Sequence, residues 1–136
     1  MKYGWITNNL VDLRTQPKFN SERASQLLFG EPVRIRSEKN GYCSVVQTDG
    51  YRGWIDRRFI VPISKTAYTE YLSSGKSFVD ASTSVLYDGT GCRRVAPYFV
   101  YFGTKLRIDR TKSSFARIIL PDNNSLLIKK SKLVPI

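Results

Sequence analysis

Apolar and polar residues along this chain alternate in short bursts separated by turn-forming residues. In Pro32-Val-Arg-Ile-Arg36, Val33 and Ile35 fall on one side and Arg34 and Arg36 on the other, the period of two expected of a half-buried strand. Tyr42-Cys-Ser-Val-Val46 predicts a second strand, with Cys43 and Val45 inward and Tyr42 and Ser44 outward. Thr48-Asp49-Gly50 follows, where Asp-Gly supplies the positive φ of a tight hairpin. Tyr51-Arg-Gly-Trp-Ile55 is then the returning strand. No 12-residue window carries the spacing of an amphipathic helix. Ser64 to Ala81 is polar and rich in Ser, Thr and Lys, and reads as a linker with room for a single helical turn around Tyr68-Thr-Glu-Tyr-Leu72. Longer irregular loops are expected at about Gln16 to Ala24 and Asp88 to Val95.

The pattern also repeats. Phe29 to Ile63 can be laid without a gap over Phe102 to Ile136, an offset of 73 residues held for 35. Phe29-Gly30 falls on Phe102-Gly103, Arg34-Ile35 on Arg107-Ile108, Asp49 on Asp122, and Val61-Pro62-Ile63 on Val134-Pro135-Ile136. Apolar positions stay apolar: Val33 with Leu106, Tyr42 with Phe115, Val45 with Ile118, Trp54 with Leu127. Such a register means two copies of one small fold. The predicted division is a first unit at 1–63, a linker at 64–81 and a second, diverged unit at 82–136. Units of that size bury only about 60% of their unfolded surface, so they are expected to lean on each other. Short strands in the order strand, long irregular loop, three-stranded meander, short turn, last strand predict an all-β chain of two tandem SH3-like small antiparallel barrels.

Composition narrows the chemistry. The 136 residues hold 22 basic and 11 acidic side chains, a net charge of +11. Ten basic against six acidic residues give +4 in residues 1–63, and twelve against five give +7 in 64–136. That surplus favours anionic partners such as nucleic acid, membrane surfaces or anionic cell-wall polymers. The sequence has no histidine, which rules out a Cys–His catalytic pair and zinc sites of the Cys/His type. The aspartates Asp12, Asp49, Asp56, Asp80, Asp88, Asp109 and Asp122 are scattered, and no catalytic or metal-binding constellation and no cofactor is predicted. Two cysteines make no disulfide framework: Cys43 aligns with Ala116 and reads as a small buried side chain, while Cys92 sits in the turn Gly89-Thr90-Gly91-Cys92. The start, Met1-Lys2-Tyr3-Gly4-Trp5, has no apolar signal core, and no stretch approaches the roughly 20 apolar residues of a membrane span. The expectation is a chain with no export signal of its own.

Three blocks carry a resemblance. Val11-Asp-Leu-Arg-Thr-Gln-Pro17, Ser25-Gln-Leu-Leu-Phe-Gly-Glu-Pro-Val33 and Asp49-Gly-Tyr-Arg-Gly-Trp-Ile55 resemble a bacterial SH3-like (SH3b) domain. The nearest resemblance is to the first such domain of NlpC-type cell-wall cysteine endopeptidases, and it covers residues 4–63. Residues 82–136 resemble the second SH3-like domain of those proteins, although Gly53-Trp54 is replaced there by Leu126-Leu127. The resemblance implies a recognition half, with the catalytic domain that cuts γ-D-glutamyl–diamino acid bonds expected after Ile136. The implied partner is a peptidoglycan-derived peptide or an anionic wall polymer, and the resemblance implies a bacterial source and the cytoplasm or cell envelope.

Candidate binding residues follow. Tyr51 lies just past the hairpin, is not needed for the turn, and resembles the tyrosine that closes the peptide site in the family. Trp54 offers a large aromatic surface that either packs the hairpin or meets a ligand. Tyr42 and Trp5 are expected on an exposed face beside Tyr51, or else against the neighbouring unit. Ser25 lies at the end of the loop that faces substrate in the family. Arg57, Arg58, Arg93, Arg94, Lys129 and Lys130 are candidate anion contacts or plain solvated surface. Nucleic acid is the alternative partner for such a charge, and a proline-rich peptide is a third.

Overall fold

The computed structural model describes residues 2–136. Strands β1 (Lys2–Ile6), β2 (Leu10–Arg14), β3 (Arg23–Leu28), β4 (Pro32–Lys39), β5 (Tyr42–Val46), β6 (Arg52–Asp56) and β7 (Ile60–Ile63) form one antiparallel sheet in the order β3-β2-β6-β5-β4-β1-β7. After helix α1 (Lys65–Ser73), strands β8 (Ser77–Val79), β9 (Thr83–Tyr87), β10 (Arg94–Tyr101), β11 (Lys105–Lys112), β12 (Phe115–Ile119), β13 (Ser125–Lys129) and β14 (Leu133–Pro135) form a second sheet with the equivalent order. The chain is all-β in architecture, two tandem small barrels as the alternation predicts.

The repeat holds at the level of backbone irregularities. β11, β12 and β13 each begin 73 residues after β4, β5 and β6. Both meanders carry a register shift at the same place, between Ile35 and Ser37 in the first and between Ile108 and Arg110 in the second. A bulge of this kind bends the ladder and increases its twist, which a small barrel needs in order to curl. Each final strand follows a 3-10 turn, Arg57–Phe59 or Lys130–Lys132.

The segment read as a linker carries two elements. Ser64 caps α1 by accepting a hydrogen bond from the Ala67 N–H at 3.0 Å. Only Tyr68 and Tyr71 of the helix are buried, too few to leave an amphipathic signature in a polar segment. The three-residue strand β8 joins β11 and β14 as β1 joins β4 and β7.

The inward positions are those the alternation marks. Val33, Ile35, Cys43, Val45 and Ile55 are buried in the first core with Ile6, Leu13 and Leu27. The second core gathers Leu86, Leu106, Ile118 and Ile128, and it includes Trp5 and Phe29 from the first barrel. Of the two settings expected for Trp5, the exposed face is corrected and packing against the neighbouring unit is found, since Trp5 is only 5% exposed and lies among second-barrel residues. The reason lies in β1. Gly4 and Ile6 face the first core, where a Cβ on Gly4 would stand 2.6 Å from the Ile60 side chain. Tyr3 and Trp5 therefore point outward, and both are covered. Tyr3 packs on Tyr68 of α1 with ring centroids 4.6 Å apart, and Trp5 meets Phe29 edge-on at 5.6 Å among second-barrel residues.

Two equivalent turns complete the junction. Gly30, at φ +86°, lies against the Tyr71 hydroxyl and the Lys105 carbonyl, and Gly103, at φ +88°, lies against Leu28. Tyr71 is flanked by Lys76, 4.5 Å from its ring centroid, and Arg107 at 5.4 Å. Burial pushes the Tyr71 phenol up to about 12 against the opposing pull of Arg107. Because Trp5 belongs to the second core while sitting in the first sheet, Trp5→Ala is expected to cost about 3–5 kcal/mol in urea unfolding. Amide-exchange protection should fall at Leu86 and Ile118 of the second barrel as well as in β1; loss confined to β1 would contradict a shared core.

Candidate functional site

With Cys43, Val45 and Ile55 inward, Tyr42 and Ser44 of β5 and Trp54 and Asp56 of β6 stand on the outer face of the first barrel. Ser44 is opposite Trp54 and Tyr42 opposite Asp56, so Tyr42 and Trp54 are diagonal neighbours, both half-buried. Arg14 of β2 pairs with Trp54 across the other edge of β6. Gly53 permits this crossing: a Cβ there would lie 2.7 Å from both the Arg14 carbonyl oxygen and the Leu13 side chain. The close approach at this glycine is made by the protein's own strand.

Arg14 also ties down the loop between β2 and β3. Its guanidinium donates to the Ser21 carbonyl at 3.0 Å and to the Asp12 carboxylate at 2.9 Å, and it lies 5.8 Å from the centroid of the Phe19 ring. The Ser21 hydroxyl is shared by the Gln16 and Lys18 carbonyls at 3.0 and 2.9 Å. Phe19, 80% exposed, is presented beside this face by an ordered loop. The sequence reading missed Phe19, and an aromatic residue inside a polar loop was the available signal.

The other candidates separate. Tyr51 is 57% exposed at the hairpin tip, where its N–H donates to Asp49 at 3.2 Å and its carbonyl accepts from Gln47 at 2.8 Å. It stands at the opposite end of the hairpin from Tyr42, whose partner Asp56 is five residues and about 17 Å further along β6. Tyr51 and Tyr42 thus do not form one groove on this hairpin, and Trp5 lies at the barrel junction. Ser25, opposite the buried Leu13 on edge strand β3, falls on the inner side of the sheet. Arg57 and Arg58 occupy the first 3-10 turn, Lys129 and Lys130 the equivalent bend of the second barrel, and Arg93 and Arg94 the start of β10. All six are exposed, on separate elements.

Local partners modify some charges. Arg58 grips Asp56 through two nitrogens at 2.7 to 3.2 Å, which holds the Asp56 carboxyl below its usual range. Glu31, near the junction, is pushed up by burial. Burial, then Glu38, raises the Cys43 thiol to about 11; both cysteines are free, Cys43 buried and Cys92 exposed. Among the described residues no cluster of metal-ligating side chains occurs, and no helix is long and apolar enough to cross a membrane.

In the second barrel the equivalent outer face is an open groove of about 420 Å³ between the loop at Gly89-Thr90 and strands β11, β12 and β13. Phe115 stands where Tyr42 does, and Leu127 where Trp54 does.

Comparison with known proteins agrees with this geometry. Residues 13–58 match the family described as the bacterial dipeptidyl-peptidase Sh3 domain. No curated protein matches the sequence. An NlpC/P60 family protein from Bacillus cereus ATCC 10987 is similar in fold over 98% of this chain, with a TM-score of 0.78 and 15% identity. This chain spans 56% of that protein's length. NlpC2 and NlpC1 from Trichomonas vaginalis are 18% identical and align with 97% of this chain and 47% and 45% of their own, at TM-scores of 0.41 and 0.40. Residues 13–58 of the first barrel are thus similar to a bacterial SH3 domain. The chain as a whole shares its fold with the matched part of the Bacillus cereus protein, as a pair of SH3-like modules.

Two outcomes test these details. Gly53→Ala forces backbone apart where β2 crosses β6, and is expected to cost about 1–3 kcal/mol in a urea titration; an unchanged midpoint would contradict the contact. Iodoacetamide at mildly alkaline pH should label Cys92 in the native protein and Cys43 only under unfolding conditions, with mass spectrometry of tryptic peptides as the readout.

Proposed function

We propose that this chain is the recognition part of a larger cell-wall-acting protein and holds the peptide moiety of peptidoglycan on its first barrel. The observation that carries the reading is the outer face of β5 and β6. Tyr42 and Trp54 stand there as a half-buried diagonal pair beside Arg14 and Phe19, outside either core. Aromatic walls and a guanidinium suit a short peptide with carboxylates, since the rings cover its apolar parts and the cation meets its charge. Tyr51, exposed and free of the core, adds a contact from the hairpin tip where a neighbouring domain would close the site.

Resemblance of residues 13–58 to a bacterial peptidase SH3 domain supports the substrate class. The fold likeness to the Bacillus cereus NlpC/P60 family protein supports a place beside a catalytic domain. With no histidine in the chain, cleavage by a Cys–His pair falls to that domain. The net charge of +11 accelerates encounter with anionic wall material, and this part of the binding is screened by salt. Nucleic acid is the weaker reading, because Arg57, Arg93 and Lys130 lie on separate elements and not in one stripe interleaved with stacking aromatics.

Titration of a fluorescent muropeptide into the chain tests the proposal. Tyr42→Ala is expected to weaken binding about tenfold, or about 1.4 kcal/mol, with an unchanged circular dichroism spectrum. Unchanged affinity in a folded variant would remove the β5–β6 face from the site, and no binding by the parent chain at low salt would remove the function.

A further inference from the structure

The duplicated register allows the two barrels to be compared position by position, and one step of the meander changes its charge. Across the β4–β5 ladder Ser37 faces Ser44, next to the bulge. At the same step of the β11–β12 ladder, Arg110 faces Arg117. Like charges directly opposite each other on adjacent strands repel and destabilise the sheet. Asp109 relieves one of them through its ion pair with Arg117. Among the described residues Arg110 and Lys112 have no ion-pair partner, and both are exposed.

These cations rim the second-barrel groove of about 420 Å³, whose floor is apolar. Phe115 is held edge-on by Tyr87 at 5.6 Å between ring centroids. Gly91, at φ +76°, brings the loop so near that a Cβ there would stand 3.3 Å from the Phe115 ring. Leu126 and Leu127 continue the floor. The groove therefore has a fixed aromatic base, a loop seated against it, and an uncompensated positive rim.

We infer that this groove binds an extended acidic peptide segment, with carboxylates on the unpaired Arg110 and Lys112, beside the Arg117–Asp109 pair, and an intervening apolar side chain on Phe115 and Leu127. Guanidinium groups match carboxylates through paired hydrogen bonds, and a bound carboxylate removes the repulsion between the two arginines. A peptide is favoured over a poly(glycerol phosphate) wall polymer because glycerol phosphate units carry no large apolar group to meet the floor. The site shares no residue with the first-barrel face, so each stands or falls separately.

The test exchanges the second-barrel residues for their first-barrel counterparts. Fluorescence anisotropy would follow a labelled Glu-Leu-Glu-Phe-Glu peptide, and a Gln-Leu-Gln-Phe-Gln peptide as the uncharged control, on the whole chain. The Arg110→Ser/Arg117→Ser variant is expected to lose affinity for the acidic peptide about tenfold or more, leave the weak binding of the control unchanged, and keep or raise the melting temperature. Asp109, left unpaired, is exposed and costs little. Equal binding of both peptides by the parent chain, or undiminished binding by the variant, would overturn the proposal. So would tighter binding of a poly(glycerol phosphate) chain with the same dependence on the two arginines. Should the double variant fail to unfold cooperatively, Lys112→Gln decides: a weaker acidic-peptide titration supports the site, and an unchanged one rejects it.

Discussion

The structure depends on burying both faces of a single strand. β1 sends Gly4 and Ile6 into the first core and leaves Tyr3 and Trp5 on the outside, where an isolated barrel of some 60 residues has nothing to cover them. α1 takes Tyr3 through Tyr68, and the second barrel takes Trp5. Among the described residues the buried indole N–H has no protein hydrogen-bond partner, a cost on the order of 1–3 kcal/mol that the packing of the two rings offsets. The two barrels thereby share packed side chains across their joint, although each has its own sheet.

That arrangement assigns separate roles to separate surfaces. The junction uses β1, α1 and the equivalent turns at Gly30 and Gly103, and leaves the β5–β6 and β12–β13 faces free. A duplicated fold with its joint on one side can diverge on the other without disturbing either core. The two faces show this divergence: Tyr42, Ser44 and Trp54 in the first barrel stand where Phe115, Arg117 and Leu127 stand in the second. Only one of them keeps a glycine at the strand crossing. Gly53 lets β2 lie against β6, with Arg14 beside Trp54, and Leu126 occupies that position in the second barrel.

The electrostatics are local in the same sense. A surplus of +11 suggests a basic surface, but Asp56 clamps Arg58, Asp12 holds Arg14, and Asp109 holds Arg117. Exposed pairs of this kind add little to stability. Their effect here is to decide which cations remain available, and Arg110 and Lys112 are left over at a groove that already has an aromatic floor.

Much of the fold was legible from short-range order alone. Strict alternation placed Val33, Ile35, Cys43 and Val45 inward, Asp49-Gly50 placed the hairpin, and a constant offset revealed two copies, because each of these signals is carried by neighbouring residues or by a register. The helix and β8 were not legible, since nine residues with two buried tyrosines and a strand of three give no period to detect. Nor was the fate of outward aromatics. Trp5, Tyr42 and Tyr51 look alike in the sequence, yet one is sealed in a joint, one lines a face and one tips a hairpin. Which outward side chain is covered depends on where a second barrel, distant along the chain, comes to rest. Local alternation records only inside and outside of one sheet, so that decision belongs to the tertiary structure.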